Sequence, residues 1–265
     1  MHDLVANETF NLEKTYEYIL SIQVSLNGFS FFVELPGENK LLAFKNAPLK
    51  ISNTTLIARH FNEWVTTEDL FQKPFKKIRI IIYSNKFTLV PEKYFNNTLK
   101  SEIPRFLFDE NPDSEIAENV IEKLETRLLF TLPIGINRVI RDQIGECEIV
   151  HPIKIVLNNL PEIKKEHGLI LLFDSKNFYV FLFNKQKNLL TNSFKLAHTN
   201  DVVYYVLTTL KQMEILNSEI ELFLGNTNDR FLTIKDSLKS YFDEIQNLNI
   251  TPFLSENEMN SLLKT

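Results

Sequence analysis

Asn27-Gly28-Phe29-Ser30-Phe31-Phe32-Val33 and Lys176-Asn177-Phe178-Tyr179-Val180-Phe181-Leu182 match position for position in character within one chain. Ahead of the first, Leu20, Ile22, Val24 and Leu26 alternate with Ser21, Gln23 and Ser25, the period-two pattern of a strand with one buried face. Asn27-Gly28 is the pair that supplies both positive-φ positions of a type I′ hairpin turn. Ahead of the second, residues 168–173 form a continuous apolar run that suits a strand buried on both faces, and Asp174-Ser175-Lys176-Asn177 reads as its turn. A third strand follows in each case, at 41–44 after Pro36-Gly37-Glu38-Asn39 and at 189–196 after the turn 184–188. A helix comes next. Ser52-Asn53 can cap one carrying Leu56, Ile57, His60, Phe61 and Trp64, and Asn200 or Asp201 another whose stripe is Val202, Val203, Val206, Leu207, Leu210 and Met213. A meander followed by a helix, twice, reads as an internal duplication.

The remaining segments differ between the halves. In the second, 220–224 reads as a strand, 231–242 as a helix and 245–250 as a last short strand. In the first, 78–83 and 87–90 read as two strands about a turn at Ser84-Asn85, followed by the segment 91–108 and a loop at 109–113. Ser114 is then placed to cap a helix with Ile116, Val120, Ile121 and Leu124 on one side and Glu115, Glu118, Glu122 and Glu125 on its solvated face. A strand at 128–132, a helix marked by Ile136, Val139, Ile140 and Ile144, a strand at 147–150 and a helix opened by Pro152 complete that half. The expected division is 1–165, with an inserted subdomain around 84–126, and 166–265.

Composition bounds the function. At 265 residues the chain exceeds the roughly 100–200 of one domain, and 44% hydrophobic residues suffice for a core in each of two. A formal net charge of -5 leaves no excess of Lys and Arg to release counterions, which argues against nucleic acid as a partner. Cys147 stands alone, which suits a reducing compartment, and nothing marks it as activated. No run approaches the roughly 20 apolar residues of a membrane span, and the first residues lack a signal-peptide pattern, so the expected location is the cytoplasm without membrane insertion. His2, His60, His151, His167 and His198 are widely spaced with no neighbouring Cys, so no zinc site is expected. His60, within an apolar stripe, reads as a core or interface histidine. No catalytic Ser, His and Asp are positioned together. With 22 Phe, not every ring can be fully buried, and an exposed aromatic patch would be a binding surface.

The order of meander, helix, strand, helix and strand, occurring twice, resembles the actin-like ATPase fold, whose lobes are ribonuclease H-like. The class implied is α/β, with mixed sheets that each open with a three-stranded meander and an insertion subdomain in the first lobe. The insertion, with Leu128-Leu129-Phe130-Thr131-Leu132 and the helix after it, looks like the extra subdomain of the actin-like proteins of type IV pilus assembly. With Phe87-Thr88-Leu89-Val90-Pro91, the chain is similar to a Bacteroidetes family of unknown function described as having an actin-like ATPase fold.

The resemblance implies where a nucleotide would bind, and there the chain departs from it. Active members carry an Asp-x-Gly turn between the first two strands of each lobe, because backbone amides must approach phosphate and the carboxylate must orient Mg²⁺. Here the first turn is Ser25-Leu26-Asn27-Gly28, with a hydroxyl for the carboxylate. The second keeps Asp174 but places Lys176 where glycine would admit phosphate. The adenosine loop has one glycine, in Leu224-Gly225-Asn226-Thr227-Asn228. Asp174, Ser175, Asn27, Gly28 and Gly225 are thus read as remnants of nucleotide loops, with no catalytic residue, metal ligand or cofactor expected. A non-catalytic scaffold follows, binding an unknown protein partner or itself, as pilus-assembly relatives grip a partner's peptide near their inserted subdomain. The alternative is a divergent ATPase or kinase-like enzyme taking ATP and Mg²⁺ between its lobes. The tail at 253–263, with Ser255 and Glu258 as a capping box, is expected to form a short helix.

Overall fold

In a computed structural model, the described residues are 4–37, 40–108, 115–174, 176–185, 187–225, 229–254 and 256–263. The chain divides into two compact units, Met1–Asn158 with Asn260–Thr265, and Asn159–Met259. The first contains β1 (Val5–Ala6), β2 (Ile19–Ser25), β3 (Gly28–Leu35), β4 (Lys40–Pro48), α1 (Ile57–Val65), β5 (Lys77–Ile82), β6 (Phe87–Pro91), α2 (Asn97–Phe108), β7 (Ile116–Ile121), β8 (Thr126–Thr131), α3 (Ile136–Gln143), β9 (Glu148–Val150) and α4 (Pro152–Asn158). The second contains β10 (His167–Phe173), β11 (Asn177–Asn184), β12 (Lys187–Lys195), α5 (Thr199–Gln212), β13 (Ile220–Gly225), α6 (Asp229–Leu238) and β14 (Ile245–Asn247). Helix α7 (Glu256–Leu262) follows; Ser255 lies outside the described residues, as do Ser114 and the loop 109–113.

Apart from the edge strand β1, the two main sheets have one order of strands. In the first unit it is β1-β4-β3-β2-β5-β9, in the second β12-β11-β10-β13-β14. In each, three antiparallel strands form the meander, and two parallel strands are added beside the first of them. Strand β10 is paired on both edges and every one of its residues is buried, as a continuous apolar run requires. One face of the second sheet packs Leu169, Leu171, Phe178 and Val180 against Val202, Val206 and Leu210 of α5 and Ile234 and Leu238 of α6. In the first unit, Phe29 of β3 stacks on Trp64 of α1 at 5.2 Å, and Trp64 meets Phe71 edge-on at 5.1 Å. Phe178, at the equivalent place in β11, lies 5.6 Å from Phe194, which stacks on Tyr205 of α5 at 4.4 Å. The α5 cap differs from expectation. His198 is the N-cap, and Asp201 serves from inside the first turn, accepting from the His198 amide at 2.8 Å and the Ala197 amide at 2.9 Å.

The insertion departs further from the sequence reading. Residues 116–121 are strand β7, not a helix, in a three-stranded sheet of order β6-β8-β7. The apolar spacing fits a helix, but β7 buries Asn119 and Ile121 while Val120 is exposed, and pairing with β8 satisfies its backbone. Glu118 therefore sits on no solvated helix face; it pairs with Arg127 of β8 and, at 3.0 Å, with Lys100 of α2. Glu115 accepts from Asn137, Glu122 begins a single 3₁₀ turn and Glu125 takes a left-handed φ of 46°. The two expected strands on either side of Ser84-Asn85 are present, with β5 in the large sheet and β6 in the small one.

A buried polar knot joins these two sheets of the first unit. Asn119 of β7 donates from Nδ2 to the Ile149 carbonyl at 2.8 Å and accepts the His151 amide at Oδ1, also 2.8 Å. The His151 ring is fully enclosed, 5.6 Å from Phe87 and 5.0 Å from Phe130. Its Nδ1 accepts from the Ile153 amide at 3.1 Å, and its Nε2–H donates to the Ser84 carbonyl at 2.8 Å. That is the neutral ring. A second proton would remove the acceptor for Ile153 and bury a charge, and burial pushes the His151 pKa from 6.5 down to about 4, against the opposing effect of the Ser84 carbonyl.

A pH dependence follows. Between 6.5 and about 4 the unfolded chain holds the His151 proton and the folded chain does not, so stability present above 6.5 is lost as the pH falls. The full shift corresponds to about 3 kcal/mol. Acid titration of the denaturant midpoint should show this loss, and His151→Gln, though less stable, should show a shallower slope. Glu148 acts in a separate window. Burial raises its pKa, but Lys77 and Lys154 outweigh this and hold it at about 2, so its contribution is lost only below 4.5. Equal slopes in the two proteins would assign the acid sensitivity to other groups.

Candidate functional site

The first hairpin turn is closed by its own chain. Ser25 pairs with Gly28, leaving Leu26 and Asn27 at the tip. Neither has a positive φ, and Gly28 carries it instead at 111°, so the expected type I′ turn is not formed. The segment that leaves β4 explains the difference: the Leu49 amide donates to the Asn27 carbonyl at 2.8 Å and the Ile51 amide to the Leu26 carbonyl at 2.9 Å. The Ser25 hydroxyl accepts the Asn27 amide at 3.1 Å. A Cβ at Gly28 would lie 2.4 Å from the Ala47 carbonyl oxygen and 2.4 Å from the Leu49 nitrogen. Glycine is thus required here by a backbone that fills the space beside the turn.

The second turn repeats the closure. Leu196, the residue that leaves β12, donates its amide to the Lys176 carbonyl at 2.8 Å, and the Asp174 amide donates to the Asn177 carbonyl at 2.9 Å. Asp174 is buried. Ser175 and residues 226–228 lie outside the described residues. Gly225 ends β13 beside Leu172, and a Cβ there would press on Leu248 at 3.0 Å. Asp174 and Gly225 therefore come to one end of the second sheet, at the carboxyl ends of neighbouring parallel strands, where open α/β sheets bind ligands. Asn27 and Gly28 belong to the other unit.

Other candidates resolve individually. His60 is partly exposed on α1 and contacts Glu63 at 3.1 Å, beside a groove that also includes Phe29, Pro48, Leu49 and Trp64. Burial pushes the Cys147 thiol up to about 11, the reverse of what a nucleophile needs. Phe106 and Leu107 of α2 are 88% and 53% exposed, an apolar end on the insertion. One group escaped the sequence reading: ligand atoms of Glu166, His167 and Glu219 all lie within 4.8 Å of one another. Glu166-His167 precedes and opens β10, Glu219 precedes β13, and the pairing of His167 with Ile220 was the signal that would have joined them. No described helix is long and apolar enough to cross a membrane.

The fold has solved counterparts. A protein of unknown function from Bacteroides thetaiotaomicron, described as having an actin-like ATPase fold, matches over 97% of this chain and 100% of its own, at a TM-score of 0.81 and 19% identity. A chain of the PilM–PilN type IV pilus biogenesis complex matches over 94% of this chain and 95% of its own, at 0.55 and 12%. The protein is thus a mixed α/β chain with the actin-like ATPase fold. It belongs to the family described as protein of unknown function DUF3822, whose profile matches residues 7–245. No curated protein matches it.

The closed turn makes Gly28→Ala costly. The left-handed backbone alone costs roughly 1–3 kcal/mol, and the approach to Ala47 and Leu49 adds to it. Gly145→Ala, at φ 86° with nothing within 4 Å, should show the backbone cost only. Urea denaturation of both variants checks this; equal losses would mean that the turn opens to admit a side chain.

Proposed function

We propose that the protein is a non-catalytic, actin-like scaffold of the cytoplasm, built by duplication of a ribonuclease H-like lobe, with boundaries near 1–165 and 166–265 and an insertion near 84–126. The observation that carries this reading is the closure of the first meander turn. A phosphate loop points its amides outward, whereas here the Asn27 amide is donated to Ser25 and both tip carbonyls are taken by Leu49 and Ile51. With a hydroxyl at Ser25 in place of a carboxylate, Asn27 and Gly28 offer no seat for Mg²⁺. In the second unit Lys176 stands in place of glycine, and Gly225 serves packing against Leu248. The solved PilM–PilN complex supports a role in protein assembly, and the exposed Phe106 and Leu107 supply an apolar contact on the insertion for a protein partner or a second copy.

One observation favours the alternative, a divergent ATPase or kinase-like enzyme. Asp174, with Ser175 beside it, keeps a carboxylate at the carboxyl end of β10, near Gly225. Nucleotide decides between them. Mg-ATP at 100 times its Kd would stabilise the native state by about 2.7 kcal/mol. The expected outcome is an unchanged melting temperature with millimolar Mg-ATP or Mg-ADP; a rise that Asp174→Asn removes would establish the alternative. For the scaffold, bait protein should retain a partner from lysate or self-associate in sedimentation, and Phe106→Ser with Leu107→Ser should abolish this at unchanged melting temperature. Repeated recovery of no partner and no self-associate would sink the reading.

A further inference from the structure

We propose that Glu166, His167 and Glu219 form a binding site for one divalent transition-metal ion, zinc by its donor set, in the second unit. The site is separate from the turn residues. Asp174 and Gly225 lie at the carboxyl ends of β10 and β13, whereas His167 and Glu219 lie at the amino ends of the same strands.

The imidazole is the observation that points to a ligand. His167 is 8% exposed, and its Nδ1 is enclosed with no hydrogen-bond partner. A buried ring nitrogen of this kind is rare without a partner. The other nitrogen, Nε2, lies 3.3 Å from Nδ2 of Asn184, a side-chain amide that can serve as the outer partner of a metal-binding histidine when its oxygen faces the ring. A half-turn of the Asn184 amide exchanges Nδ2 for Oδ1 at this position, and with Oδ1 there Nε2 carries the proton and Nδ1 presents its lone pair to an ion.

The carboxylates complete the set. Glu219 uses Oε2 to accept the Leu216 amide at 3.2 Å, leaving Oε1 for an ion. Glu166 is exposed and its side chain is free to turn inward. The segment before it is pinned by Glu221, whose Oε2 accepts the Lys164 amide at 2.6 Å and whose Oε1 accepts from Gln246 at 2.7 Å. Lys165 directs its ammonium to the Ser218 carbonyl at 3.0 Å. Bonds of about 2.0–2.2 Å to zinc place tetrahedral ligands roughly 3.4 Å apart; the ligand atoms, within 4.8 Å of one another, reach that by side-chain rotation. One imidazole and two carboxylates are a three-ligand set that leaves the fourth position to water, and they favour such an ion over Mg²⁺, which prefers oxygen alone.

The test is titration of the full chain with zinc chloride by calorimetry, in a Cys147→Ser background so that the thiol does not compete. One ion should bind with micromolar affinity or better, Mg²⁺ should not compete at millimolar concentration, and the His167 Nδ1 resonance should move in a long-range imidazole ¹H–¹⁵N spectrum. Glu166→Gln and Glu219→Gln, both at accessible positions, should each weaken binding by at least about tenfold, as should the outer-partner variant Asn184→Leu. Absence of binding, or affinity and stoichiometry unchanged in all three variants, overturns the proposal.

Discussion

In each unit the amide of the residue leaving the third strand is donated to the carbonyl at the tip of the first hairpin, from Leu49 to Asn27 and from Leu196 to Lys176. This bond holds the end of the meander over its own beginning. It sets where the chain goes next, toward α1 in one unit and α5 in the other, and so which aromatic rings meet: Phe29 with Trp64, and Phe178 with Phe194 and Tyr205. Because the tip is stitched from outside, its geometry is settled by long-range hydrogen bonds rather than by the preference of Asn-Gly for two positive φ angles. At Gly28 the backbone of Ala47 and Leu49 takes up the space beside the turn.

The fold was legible where one pattern dominates. The alternation at 20–26 and the apolar run at 168–173 decide two strands, and the resemblance between 27–33 and 176–182 reflects paired places in two sheets of one order. It was not legible at 116–124, where Ile116, Val120, Ile121 and Leu124 satisfy a helical spacing. What overrides them is the edge of β8, which offers pairing to the backbone, and Asn119, whose amide finds long-range partners at Ile149 and His151. A polar residue inside an apolar stripe was the local sign of conflict, but its partners are about 30 residues away in sequence and cannot be inferred from spacing.

The sites show the same division. Ser25 and Lys176 were open to comparison with a phosphate loop because each lies within its own turn. The group of Glu166, His167 and Glu219 was not open to such a reading, since its members meet only through the register of two parallel strands. Histidine spacing along the chain is a sound guide to metal sites on one helix or one loop, and it has no bearing on a site assembled across a sheet.

Buried histidines occupy opposite situations in the two units, and the contrast shows how environment assigns their roles. His151 has both ring nitrogens satisfied by backbone, makes tilted ring contacts with Phe87 and Phe130, and is held neutral; its chemistry is spent on joining the inserted sheet to the main one. His167 has one nitrogen beside Asn184 and the other unpartnered, with ligand atoms of Glu166 and Glu219 within 4.8 Å of its ring. Desolvation is costly to both rings, and only the second leaves that cost uncompensated by the protein itself. A ring in the first situation is a joint, whereas one in the second is a site awaiting a ligand, and the difference rests on which backbone groups come within reach of an imidazole at the end of a strand.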